Sequence, residues 1–202
     1  MDEVTKLTVE HYQKTYELTL HVWEQRNSTF LSLLAVVGAA TVLTFNVPQA
    51  EPLLVDIIAK LADIKDTERL RDLRQSFPYG IVQSILLMTI LYLMVILYHR
   101  TTFILRCYRY LAALEDELKV ALQLPSGAIA FSREGSFYAA HKGGLAPFVA
   151  FVYCAMLGTL LVAFLGCRIY TDFTSQNYVI AVVDACLAAF TMLFYVGYAR
   201  SV

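Results

Sequence analysis

Four apolar runs decide what this chain can become. They occupy residues 28–47, 78–98, 145–167 and 178–198, and each reaches the roughly 20 residues that a helix needs to cross about 30 Å of hydrocarbon. In lipid every backbone N–H and C=O must be satisfied within the segment, so runs of this length predict transmembrane α-helices. The composition agrees: 58% of residues are hydrophobic and 16% charged, where a soluble domain has about 45–50% apolar and about 25% charged residues. Intrinsic disorder, a disulfide scaffold and a collagen-like fibre are excluded on the same grounds. A net charge of −1 gives no pull toward nucleic acid. The expected fold is an all-α integral membrane protein, four transmembrane helices with cytoplasmic helical extensions, and its first partner is the lipid bilayer.

The segments between the runs also read as helical. Residues 1–27 form a cytoplasmic amphipathic helix, with Val9, Tyr12, Tyr16, Thr19, Trp23 and Arg26 at spacings of three and four on one face. Glu3, Glu10, Glu17 and Glu24 mark a solvated face, and Glu10 is placed to pair with Lys14. Trp23 falls at the level where indole rings settle. This start is too long and too charged for a signal-peptide n-region, so the first run is expected to stay as an anchor, which suits a bacterial inner membrane.

Pro48 closes the first run and Pro78 opens the second, since proline cannot sit inside a hydrogen-bonded helix. Pro147 lies in the first turn of the third. Residues 48–77 are an extracytoplasmic amphipathic loop, with Leu54, Ile57, Ile58, Leu61 and Ile64 on one side and charges from Glu68 to Arg74. Residues 99–144 form a cytoplasmic stalk and loop. Their seam of Ile104, Cys107, Leu111, Leu114, Leu118 and Ala121 suits a short coiled coil or packing against the N-terminal helix, with Glu115-Asp116-Glu117 on the wet side. Residues 168–177 are a short loop before the last run.

Lysine and arginine set orientation. Ten of the sixteen (Lys6, Lys14, Arg26, Arg100, Arg106, Arg109, Lys119, Arg133, Lys142 and Arg200) lie on the side of the termini and the stalk. The other side carries Lys60, Lys65, Arg69, Arg71, Arg74 and Arg168. Both termini are therefore expected in the cytoplasm, with the chain multi-pass in a plasma or bacterial inner membrane.

Signs of catalysis are lacking. The chain has no P-loop, dinucleotide fingerprint, HExxH, GxSxG or EF-hand loop, and an enzyme, a cofactor and a metal site are not expected. Cys107, Cys154, Cys167 and Cys186 read as small apolar residues, although Cys167 and Cys186 flank one loop and are the pair a disulfide would join. The polar residues inside the runs carry more weight. Asp184 is the only charged side chain well within an apolar run, with no basic partner there, and burying it costs roughly 2.5–3.5 kcal/mol on insertion scales. Thr191 and Tyr195 share its face, and Gln83 and Ser84 lie at a similar depth and can hydrogen-bond to it. Asp184 either lines a pore or holds helices together. In the third run Ala146, Ala150, Cys154, Gly158 and Gly166 recur at multiples of four, a stripe that would let helices approach closely within or between protomers.

The entry Trp23-Glu24-Gln25-Arg26-Asn27 into the first run, with Tyr108-Arg109-Tyr110-Leu111 and Glu115-Asp116-Glu117-Leu118 after the second, resembles the SLATT-type membrane proteins of prokaryotic conflict systems. The likeness covers about the first 120 residues, and the chain departs from it in its long first loop and its two further spans. It implies a membrane effector that oligomerises into a pore when a nucleotide-sensing partner is triggered. The leading expectation is thus a non-enzymatic, self-associating membrane protein that forms or gates a pore, as a homo-oligomer. The alternative is a membrane anchor or scaffold whose Tyr12, Tyr16, Trp23, Leu111, Leu114 and Leu118 dock a cytoplasmic protein.

Overall fold

A computed structural model describes residues 3–45, 55, 56, 59, 60, 63, 66, 71, 79–125, 128–132, 145–174 and 178–202. Four long helices carry the fold: α1 (Glu3–Phe45), α2 (Tyr79–Ala121), α3 (Ala146–Thr174) and α4 (Tyr178–Ser201). No strand occurs among the described residues. All four are long and apolar enough to cross a membrane. At 1.5 Å per residue α1 and α2 are each about 65 Å long, twice what a bilayer core requires. The predicted extensions are therefore continuations of the spanning helices and not separate elements.

The chain forms two compact units. One comprises Ser32–Met94 and Met156–Phe194. Its core takes Leu33, Val37 and Ala40 from α1, Leu87, Ile90 and Met94 from α2, Leu157, Leu161 and Phe164 from α3, and Ala181 and Ala188 from α4, all buried. The outward faces are as apolar as the core. On α2, Ile81, Ile85, Met88 and Tyr92 follow one another at helical spacing and are each more than half exposed. A surface of this kind is unsuited to water and suited to lipid. Inside, hydroxyls are satisfied locally: Thr44 and Thr191 donate to the carbonyls of Ala40 and Leu187, each at 2.8 Å, and need no water. Within the predicted loop helix, Leu54, Ile57, Ile58, Leu61 and Ile64 lie outside the described residues. Val55 and Ala59 are buried there while Asp56 and Lys60 are exposed.

The other unit comprises Met1–Leu31, Val95–Ala155 and Tyr195–Val202. Of the two roles open to the stalk seam, packing against the N-terminal helix is the one adopted. Leu111, Leu114 and Leu118 are buried, and Tyr12 donates to Glu115 Oε1 at 2.9 Å. Glu115, expected on the wet side, is fully buried. It lies four residues after Leu111, hence on the leucine face, and Asp116 and Glu117 alone are exposed. On α1 the buried line passes through Thr19 and Thr29 and leaves Trp23 43% exposed. The stalk ends in a Schellman turn. Gln123 takes the left-handed conformation (φ 51°), and the amides of Gln123 and Leu124 reach back to the carbonyls of Val120 and Lys119 just before Pro125.

Candidate functional site

Among the described residues, the apolar core of the Ser32–Met94 and Met156–Phe194 unit contains one concentration of charge. Helix α3 does not stop where the apolar run stops. It continues through Arg168 and Asp172 to Thr174, through seven residues read as loop from sequence. Arg168 lies six residues before the end of α3, and Asp184 lies six residues after the start of α4. In an antiparallel hairpin, equal distances from the connection put two side chains at one depth. Arg168 and Asp184 meet there.

The guanidinium is enclosed. Arg168 is 2% exposed and Asp184 is fully buried. Nε donates to Asp184 Oδ2 at 2.8 Å, and Nη2 lies 2.5 Å from the same oxygen. Nη1 donates to Gln83 Oε1 at 2.5 Å and pairs with Asp172 Oδ1 at 2.9 Å, one turn along its own helix. Nη2 also faces Ser84 Oγ at 3.1 Å and the carbonyl of Gly80 at 3.2 Å. Each of the three nitrogens thus has an acceptor, as a buried guanidinium requires. Ser84 accepts from Arg168 and has its single hydrogen within reach of Asp184 Oδ2 (3.0 Å) and Gly80 O (3.1 Å). One cation therefore joins α2, α3 and α4 and stands between two carboxylates. The expectation that Asp184 lacks a basic partner is overturned, because residues 168–174, expected as loop, are helix and carry Arg168 to it.

Gln83 and Ser84 are brought to Asp184; the other residues expected on that face are not. Thr191 is buried on α4 but donates to its own helix. Tyr195 belongs to the other unit, where its hydroxyl donates to Cys154 O at 2.9 Å. The small-residue stripe is not one buried face within the chain. A step of four residues turns about 40° around a helix, so the row drifts. Gly158 is buried, Ala150 and Cys154 are half-buried, and Gly166 is exposed with nothing within 4 Å of an added Cβ. The side chain of Ala146 lies outside the described residues. The buried face of α3 is instead made by Leu157, Leu161, Phe164, Leu165 and Arg168.

The residues expected to dock a partner divide. Leu111, Leu114 and Leu118 are used inside the chain, Tyr12 and Tyr16 are half-buried, and Trp23 is open. All four cysteines are free thiols, so Cys167 and Cys186 form no disulfide. Among the described residues no three His, Cys, Asp or Glu side chains gather as metal ligands would. No family model, curated protein or solved structure matches the chain.

Proposed function

We propose that this is a non-enzymatic, multi-pass membrane protein that self-associates and forms or gates a pore, with the Arg168–Asp184–Asp172 cluster as the latch that holds its spans closed. Both termini would face the cytoplasm of a bacterial inner membrane. One observation carries the reading: a buried guanidinium joins three apolar helices and faces two carboxylates. Charge inside a spanning segment is costly and marks a functional site by default. Arg168 is shared between two carboxylates, and the buried Gln83 Nε2 has no hydrogen-bond partner among the described residues. A network with one cation shared by two acids and an unused donor is suited to exchanging partners. Four helices leave little room for a conduit within one chain, so the path would form between protomers. The SLATT-like order of parts implies the same kind of effector.

The test is flux of a small fluorescent ion from proteoliposomes holding the full chain, alongside chemical cross-linking in native membranes. The latch reading expects Arg168→Gln and Asp184→Asn to raise leak over the wild type at equal protein load. Unchanged leak in both variants, with only monomers cross-linked, would remove the pore reading. The search would then move to a scaffold role around the open Trp23.

A further inference from the structure

Two further arginines contrast with Arg168, and both belong to the unit that holds the N-terminal helix. Arg100 on α2 sends Nη1 to Gln25 O at 2.8 Å and to the hydroxyl of Thr29. Arg26 on α1 lies within that same turn, and its Nη2 donates to Asn27 Oδ1 at 3.2 Å. Its Nε is buried with no hydrogen-bond partner among the described residues. Both arginines are half-buried. Neither meets a carboxylate among the described residues, whereas Arg168 meets two.

Arg100 is anchored to the turn of α1 that carries Arg26, and partial burial reduces the water available to screen two cations there. Most of their donors are unused: Nε and Nη1 of Arg26, and Nε and Nη2 of Arg100, make no hydrogen bond among the described residues. Planar forks with free donors match the oxygens of a phosphate. Depth identifies where that phosphate would be. Trp23 is one turn before Arg26 and 43% exposed, and the apolar run starts two residues after it; indole rings settle at the headgroup level. We infer that Arg26 and Arg100 form a binding site for a phosphate-bearing anion at the membrane surface, supplied either by an anionic phospholipid headgroup or by a free phosphate compound. This rests on the membrane embedding alone and stands whether or not the protein conducts.

The experiment uses the full chain in phosphatidylcholine nanodiscs. Phosphatidylglycerol is titrated in one arm and inorganic phosphate in the other, with thermal midpoint and native mass spectrometry as readouts. Wild type is expected to take up phosphatidylglycerol saturably, one per chain, with a rise in midpoint. Arg26→Gln and Arg100→Gln are each expected to weaken uptake about tenfold, the loss of one charge-assisted contact. Arg109→Gln, an exposed arginine further along α2, should leave it unchanged. A rise with phosphatidylglycerol alone assigns a lipid, and a rise with inorganic phosphate as well assigns a site open to free anions. No saturable response of the wild type in either arm overturns the inference, a result that needs no variant to fold. Equal weakening by Arg109→Gln also overturns it, since the attraction would then be diffuse.

Discussion

Replacing Arg168 with methionine keeps most of the side-chain volume and removes the cation from between Asp184 and Asp172. Asp184 is fully enclosed, and in the variant it retains only Ser84 as a donor on its Oδ2. Removing one partner of a buried pair costs about 3–5 kcal/mol, because the other charge is left desolvated. The expected loss is therefore about 3–5 kcal/mol, a large part of the 5–15 kcal/mol that holds a typical fold. Asp184→Asn should cost less, about 1–2 kcal/mol, because the asparagine oxygen still accepts from the guanidinium and Asp172 still balances its charge. Arg168→Met combined with Asp184→Leu should be less damaging than Arg168→Met alone, since it removes the stranded carboxylate along with its partner. The assay is reversible unfolding of the full chain in bicelles, followed by helical circular dichroism and arranged as a double-mutant cycle. A loss below about 0.5 kcal/mol for Arg168→Met, the level of an inert surface change, would refute the buried pair. So would strict additivity of the two substitutions.

Three smaller tests address the rest of the fold. Phe164 is fully buried and Phe151 is 68% exposed, so Phe164→Ala should cost about 3–5 kcal/mol in the same assay and Phe151→Ala within about 0.5. Equal costs would contradict the assignment of inner and outer faces. Tyr12→Phe removes the donor to a buried carboxylate and should cost about 1–3 kcal/mol, whereas exposed Tyr110→Phe should change stability little; a neutral Tyr12→Phe would detach the N-terminal helix from the stalk. Gln123→Gly relieves a left-handed residue at the end of α2 and should raise stability by up to about 1 kcal/mol, a prediction that a lowered thermal midpoint would defeat.

The four long apolar helices are legible because a bilayer imposes a length on any helix that crosses it, and an apolar run of that length is plain in a sequence. Arg168 was obscured by the same reasoning. A boundary drawn at the last apolar residue turns the next charge into loop, although α3 has six more residues to run. One signal was present: Asp172 stands four residues after Arg168, the spacing of a helical ion pair. Glu115 was hidden by Asp116 and Glu117, which make the triplet look uniformly solvated, although only position 115 is in register with Leu111 and Leu118. The small residues of α3 do not mark its buried face within the chain, because spacing by fours resembles a face over two steps and drifts off it over five. Which hydroxyls need a partner elsewhere also could not be read from sequence, since Thr191 is satisfied by its own backbone.

The placement of the cluster has a consequence for how the protein is made. Arg168 emerges from the ribosome sixteen residues ahead of Asp184, a wait of roughly 1–3 s at 5–20 residues per second. During that interval a third helix entering a membrane would present a bare cation, except that Asp172 arrives four residues later on the same helix and can neutralise it. Asp172 would thus accompany the arginine until the fourth helix delivers Asp184, and both carboxylates stay on the guanidinium in the folded chain.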